Sequence, residues 1–428
     1  MIEQRSRWLF CLLCILVACT GKNELALSFT IVPENDYPGN AMLETQDSLA
    51  PTFQLIPNPI STTSTPEEFP TKIIFPPYPT PSTSTPLSPT HQSLFATPFI
   101  LASASLPEIS PANAARLVQL SEIHFGSRDL VMAIAWSLDG NTLAVSSGEY
   151  IYWYDAMTMR EMNRFRVGAL THSLAFSPKG HWFAAGSRDG FLRVWDGAIG
   201  VEARNAQPFL EISAHKKGVN SVAFSPDGSV LASGGNDAVA RFWDPKTGDL
   251  LGLMIGGTFA VPAIVFTPDG GALAVANGNF IRLRQVSSER IAGTIRAENP
   301  LYSLAISPDG RILAAGDLDN LVQLWDPEQA FHTGQENYPE SVRLVGHNGK
   351  GASYRALIWK VIFSPDGRLL ASAGGDATIR LWDIVRGESA AILFGHVGGV
   401  TCVAFHPDGR SLASGGLDGT LRIWGVSE

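Results

Sequence analysis

The chain has 428 residues, 45% hydrophobic and 17% charged, with a formal net charge of −9 at pH 7. A mildly acidic body without clustered Lys and Arg excludes non-specific nucleic-acid binding, which depends on neutralising phosphates. Of the four cysteines, only Cys402 lies outside the N-terminal segment; a lone thiol forms no intramolecular bridge, and in an apolar alternating run it reads as a small core hydrophobe.

In chain order, Arg5 and Arg7 precede the apolar run Trp8–Ala18, which ends Leu16-Val17-Ala18-Cys19. A basic start, a short apolar stretch and small residues before a cut describe a secretory signal. The run is too short to cross a hydrocarbon layer of roughly 30 Å. Its ending resembles the lipobox of bacterial lipoproteins. That resemblance implies removal of residues 1–18 and lipidation of Cys19, with two or three acyl chains giving stable membrane attachment. The expected location is extracytoplasmic, at the cell surface or in the periplasm. Residues 19–112 follow with a different composition: half of the chain's 28 prolines lie between Pro51 and Pro111, among Ser and Thr. Such a segment sustains neither sheet nor helix and is expected to be a disordered, extended tether, interrupted by the apolar patches Ala26–Val32 and Thr71–Phe75.

From Asn113 to Glu428 the chain repeats. Ser213–Asp244 (SAHKKGVNSVAFSPDGSVLASGGNDAVARFWD) holds two alternating apolar runs joined by Ser225-Pro226-Asp227-Gly228, a second reversal at Gly234–Asp237, and a third run ending Trp243-Asp244. Pro presets φ, Asp bonds its own backbone and Gly accepts positive φ, so the SPDG stretch is a turn. Three strands alone bury no core. Copies recur at Thr171–Asp196, Tyr302–Asp326, Trp359–Asp383 and Val400–Trp424, with weaker ones at Met132–Asp155 and Pro262–Val286. The turn residue falls at Asp139, Lys179, Asp227, Asp269, Asp309, Asp366 and Asp408. Seven units at this period predict an all-β, seven-bladed propeller. The Trp-Asp ending, the SPDG turn and the preceding Gly-His or Ala-His resemble the WD40-repeat family. Because the seventh unit stops after its third strand, Ala115–Leu120 is expected to supply the fourth and close the ring, an arrangement the resemblance also implies.

The repeats carry a recurrent polar set: His215, Ser233, Asp237 and Trp243; His347, Ser372, Asp376 and Trp382; His396, Ser414, Asp418 and Trp424. A Ser-His-Asp set suggests a hydrolase, but an active site is needed once, not blade after blade. The resemblance implies instead a buried hydrogen-bond network within each blade. Blades two and five keep Asp189 with Trp195 and Asp319 with Trp325, while Ala185 and Ala315 replace Ser. Blades one and four lack the Asp of the second reversal, between strands two and three, and are expected to be the softest. No GxSxG elbow, phosphate loop or HExxH motif occurs. Asp317–Asn320 reads as a blade turn, lacking the spacing and terminal Glu of a calcium loop. No catalytic residue, metal or cofactor is expected.

Function then falls to the loops of a rigid disc. In proteins resembling this one, partners dock on the face holding the start of each first strand and the turn between strands two and three. The matching positions are Met132, His172, Asn220, Pro262, Tyr302, Trp359 and Thr401 around the central mouth, with Arg188, Asn236, Leu318, Gly375 and Leu417 at the turns. Aromatics, Met and Arg are enriched at interfaces. Blade six adds an insertion, Asn348–Ala356, presenting Tyr354 and Arg355 beside Trp359. The expected protein is a monomeric, lipid-anchored, non-catalytic platform binding a protein or peptide. The alternatives are a receptor or enzyme holding a small molecule or glycan in the channel, and an envelope-assembly component bound through the tether.

Overall fold

The computed structural model describes residues 106–428 apart from 127–128, 180–181, 198–206, 256, 289, 332–340, 349–356 and 428. The signal segment, Cys19, nearly all of the tether, Tyr354 and Arg355 therefore lie outside the described residues. Among those described, no helix is long and apolar enough to cross a membrane.

Seven four-stranded antiparallel sheets form a seven-bladed propeller. Six of them are meanders in sequence order; the seventh is completed from the other end of the chain. The innermost strands are Val131–Trp136, Thr171–Phe176, Val219–Phe224, Ile264–Phe266, Leu301–Ile306, Ile358–Phe363 and Val400–Phe405. Each touches the innermost strand of the next blade, and the last touches the first, so the ring is closed around an axis. Alternating apolar positions on each sheet meet those of the next blade. One such layer joins Trp153 and Phe165 of blade one to Leu174, Phe183 and Trp195 of blade two.

Closure occurs where expected, with a shifted span. Ala114–Arg116 form a single 3-10 turn, and the donated strand is Leu117–His124. It pairs antiparallel with Thr420–Val426, from Leu117 opposite Val426 to His124 opposite Thr420. The ordered unit also begins earlier than the expected boundary at Asn113. Ile109 is 1% exposed within the core shared by blades six and seven, its N–H donates to the Gly409 carbonyl at 2.9 Å, and Arg410 donates to the Leu106 carbonyl at 2.8 Å. Pro107 and Pro111 disguise this short packed stretch as tether.

The SPDG turns lie on one face and are built alike. In blade three Ser225 Oγ donates to Asp227 Oδ1 at 2.5 Å while the Ser229 N–H donates to the same oxygen at 3.0 Å. The hydroxyl bonds of Ser225 and Ser229 hold the Asp227 carboxyl down to about 2. Gly228 follows at φ 73°, a conformation side chains resist.

Blades one and four are the least reinforced. The innermost strand of blade four has only three residues, preceded by Pro262, which has no N–H to offer. In blade one the Trp153 indole N–H is buried without a partner among the described residues. Amides of Val131–Arg166 and Ile264–Arg296 should therefore exchange with solvent about tenfold faster or more than those of Ile358–Leu393, since one missing buried hydrogen bond is worth about that factor. Equal protection in all seven blades, measured by hydrogen–deuterium exchange, would contradict this.

Candidate functional site: the mouth of the channel

The position of the mouth residues has a backbone cause that alternation does not reveal. In six blades the pairing of the innermost strand with its neighbour skips one residue: Met132, His172, Asn220, Tyr302, Trp359 and Thr401. Each is the extra residue of a β-bulge. A bulge leaves that residue unpaired and re-aims its side chain; five of the six, all but Thr401, stay partly open at the same face of the ring. In blade four the equivalent Pro262 precedes the strand.

The structure brings most of these residues into two groups. On one side the Tyr302 and Trp359 rings meet edge to face, 5.2 Å apart at 77°, an arrangement favoured by the ring quadrupole. Burial raises the Tyr302 phenol to about 12, so it stays protonated. The Trp359 indole N–H has no hydrogen-bond partner among the described residues. Gly399 and Leu417 of blade seven lie beside it, and a side chain at Gly399 would start 3.5 Å from Trp359 Nε1. The other side is polar and spans blades two to four. Burial lowers the His172 pKa, as does the nearby Arg188 charge, against a hydrogen bond with Asn220. Asn220 Nδ2 donates to Asn236 Oδ1 at 2.9 Å and to the Val261 carbonyl at 3.2 Å, and Asn236 donates to the Lys217 carbonyl at 2.9 Å. Arg188 is exposed; Met132, Leu318 and Leu417 are half-buried.

Three assignments change. Thr401 is only 4% exposed; its hydroxyl bonds the Val131 and Gly415 carbonyls, tying blade seven to blade one, so it is a closure residue rather than a rim contact. Gly375 is likewise buried. In blade five the turn is organised by Asp317 rather than Asp319: Asp317 Oδ1 accepts from the Asp319 and Leu321 N–H groups at 2.8 Å each, and Asn299 donates to Oδ2 at 2.8 Å.

The recurrent polar sets form within their blades. His215 Nδ1 lies 2.7 Å from Asp237 Oδ1 and Nε2 lies 2.8 Å from Ser233 Oγ, which accepts the Trp243 indole N–H at 2.9 Å. The same contacts join His347 with Asp376 and Ser372, bonded by Trp382, and His396 with Asp418 and Ser414, bonded by Trp424. A neutral imidazole protonated on Nδ1 satisfies every member. Burial keeps His347 below its ordinary pKa despite the pull of Asp376. The imidazoles have at most 1% of their surface exposed, so no substrate reaches these serines. Cys402 is also buried, its thiol pushed up to about 12. Among the described residues no group of three His, Cys, Asp or Glu side chains is placed to hold a metal.

One mouth residue escapes inspection of a single repeat. Lys360 follows the bulged Trp359, where the other copies carry Ala133, Ser173, Ser221, Ser303 and Cys402. Reading the copies side by side would have found it: the described innermost strands contain no other charged residue.

A closed ring of seven sheets, with a buried polar set inside three blades and re-aimed side chains from five at its mouth, defines a seven-bladed propeller of the kind built from WD repeats. Five segments, residues 168–196, 206–244, 290–326, 341–383 and 387–425, match the family described as WD domain, G-beta repeat; the chain carries five WD40 repeats, in blades two, three, five, six and seven. It is 27% identical over 266 residues to the serine-threonine kinase receptor-associated protein of Rattus norvegicus, covering 62% of this chain and 69% of the relative. An uncharacterized WD repeat-containing protein of Synechocystis is 34% identical over 146 residues, 33% of this chain and 37% of that protein. A Notchless protein homolog of Arabidopsis thaliana is 35% identical over 86 residues, 20% and 15% of the two chains.

Proposed function

We propose that this propeller is a non-catalytic platform, anchored outside the cytoplasm through lipid on Cys19, that binds a protein or peptide on the face holding Tyr302 and Trp359. The observation that carries the reading is the row of bulges: in five blades a backbone irregularity turns one side chain toward the same mouth, the sixth, at Thr401, serving ring closure. The residues gathered there include an aromatic pair and an exposed Arg, the types that anchor interfaces. Met132, His172, Arg188, Asn220, Tyr302, Trp359 and Leu417 are the contact set, joined by Tyr354 and Arg355 from the blade-six insertion. A relative named for association with a receptor kinase supports partner binding as the general activity. The propeller itself acts as a monomer, its seventh sheet completed by a strand of the same chain.

Crosslinking and co-purification from native membranes test this, with wild type beside a Tyr302→Ala, Trp359→Ala double variant and a Cys19→Ser variant. A discrete partner is expected with wild type and at least about tenfold less of it with the double variant, given the 2 kcal/mol or more typical of anchor residues. The double variant must still melt cooperatively. Cys19→Ser should move the chain to the soluble fraction. An unchanged partner set would remove the mouth from consideration, and membrane retention of Cys19→Ser would remove the anchor.

A further inference from the structure

We infer that the mouth selects its partner by an acidic side chain, which enters the channel beside Tyr302 and Trp359 and pairs with Lys360. This rests on the reading of the mouth as the binding face and specifies the chemistry it recognises.

Lys360 is the single charged residue on the described innermost strands, and no Asp or Glu accompanies it there. Its neighbours across the channel wall are apolar or neutral: Cys402 on the next strand, Ser303 on the previous one, Ala373 opposite it in its own blade. No carboxylate among the described residues pairs with it, and none contributes to its electrostatics. Lys360 is exposed, and the strands that ring it lower its pKa by desolvation; on an innermost strand that exposure is toward the channel.

With no counter-ion on the strands around it, this exposed ammonium draws an anion into the channel, and a partner with a neutral group there gains nothing from it. Trp359 precedes Lys360 in the strand and its ring meets Tyr302 edge to face; the Tyr302 phenol is held protonated by burial, and the Trp359 indole N–H, itself buried, lacks an acceptor among the described residues. The rim adds Arg188, Lys216 and Lys217, exposed cations of blades two and three; of its carboxylates, Asp237, Asp376 and Asp418 are engaged by their histidines and Asp189 by Arg193, and Asp319 of blade five is exposed. The depth selects a side chain over a chain terminus. Lys360 lies one residue inside the rim, so a peptide crossing between the aromatic and polar groups reaches it with a Glu or Asp.

The test uses acetyl-Gly-Gly-Glu-Gly-Gly-amide, its Gln twin, acetyl-pentaglycine with a free C-terminal carboxylate, and inorganic phosphate. Each is titrated into the full chain while the Trp359 indole N–H resonance is followed, assigned through Trp359→Phe. The Glu peptide should shift that resonance and bind about tenfold or more tightly than the Gln twin, the factor a charge-assisted hydrogen bond supplies. Lys360→Met should erase the preference without lowering the melting temperature, and Lys360→Arg should keep most of it. Equal binding of the Glu and Gln peptides, a Glu preference surviving Lys360→Met, or tighter binding of the free carboxylate or of phosphate would each overturn the inference. The native partner separates this from the broader reading. If Tyr302→Ala, Trp359→Ala loses it and Lys360→Met keeps it at full strength, the face stands and the carboxylate falls. If both variants keep it, the face itself is wrong.

Discussion

Asp376→Ala should destabilise the propeller by about 3–5 kcal/mol, because donors left unsatisfied in the interior cost about 1–3 kcal/mol each. Asp376 Oδ1 accepts from His347 Nδ1 at 3.0 Å, from the Thr378 N–H at 3.1 Å and from Thr378 Oγ1 at 2.7 Å, while Oδ2 accepts the Asn348 N–H at 3.1 Å. Alanine strands four donors, two of them on buried side chains, and frees His347 to turn away from Ser372 and Trp382. Asp189→Ala in blade two is the comparison. Its carboxylate is more exposed and mainly holds Arg193 at 2.8 Å; Glu211, also 2.8 Å from that guanidinium, keeps it paired after the change, so the loss should stay near about 1 kcal/mol. Urea denaturation at pH 7 compares the two, and equal losses would mean that the His-Asp-Ser set adds nothing.

The same variant has a pH signature. Burial opposes ionisation of Asp376, but hydrogen bonds from His347 and Thr378 win and bring its carboxyl down to about 2 from an ordinary 3.8. A depressed folded pKa gives stability that is present above the unfolded value and lost as pH falls through the folded one. His215 and His347 are also depressed, by burial, so acid acts on them in the same direction, beginning near the ordinary value of 6.5. Wild type should therefore weaken below about pH 6.5 and again below about pH 4. The gap between wild type and Asp376→Ala should close between about pH 4 and pH 2.

Deleting residues 106–124 should leave no folded monomer. The deletion strips the seventh blade of its outer strand, paired from Leu117 opposite Val426 to His124 opposite Thr420. It uncovers Trp424, Val426 and Ile423, now at most 3% exposed. It also removes Ile109 from the core of blades six and seven, and both Gln119 and Glu122 from Arg422. The 10% exposed Arg422 side chain would be left a buried charge without its carboxylate, beside a bare sheet edge that invites pairing between chains. Gel filtration should show aggregate. Peptide 106–124 supplied during refolding should restore a monomer with a cooperative melt. A stable monomer without the peptide would mean that ring closure is not what holds the propeller together.

Legibility followed the physics. The blades could be read because every strand is half-buried and every turn needs Pro, Asp and Gly, so each unit writes its own boundaries. The polar sets could be read because three blades repeat them. The strand donated by the N-terminal side was found as a missing partner, but its span slipped from Ala115–Leu120 to Leu117–His124, since only pairing with Thr420–Val426 fixes the register. Ile109 escaped because one apolar residue between two prolines has no periodicity. Asp317 was passed over for Asp319 because the family pattern, not the local geometry, chose the position.

The sequence by itself determined the number of blades, the face on which their first strands begin and the residues that satisfy one another inside each blade. These are properties of alternation, turn chemistry and repetition, all local along the chain. Only the tertiary structure decided which of those first-strand residues face the mouth and which, like Thr401, tie neighbouring blades together, because a bulge is visible only against the strand that pairs across it. It likewise made Lys360 notable: a lysine in an apolar run is ordinary until seven strands close around it and leave its charge without a counterpart.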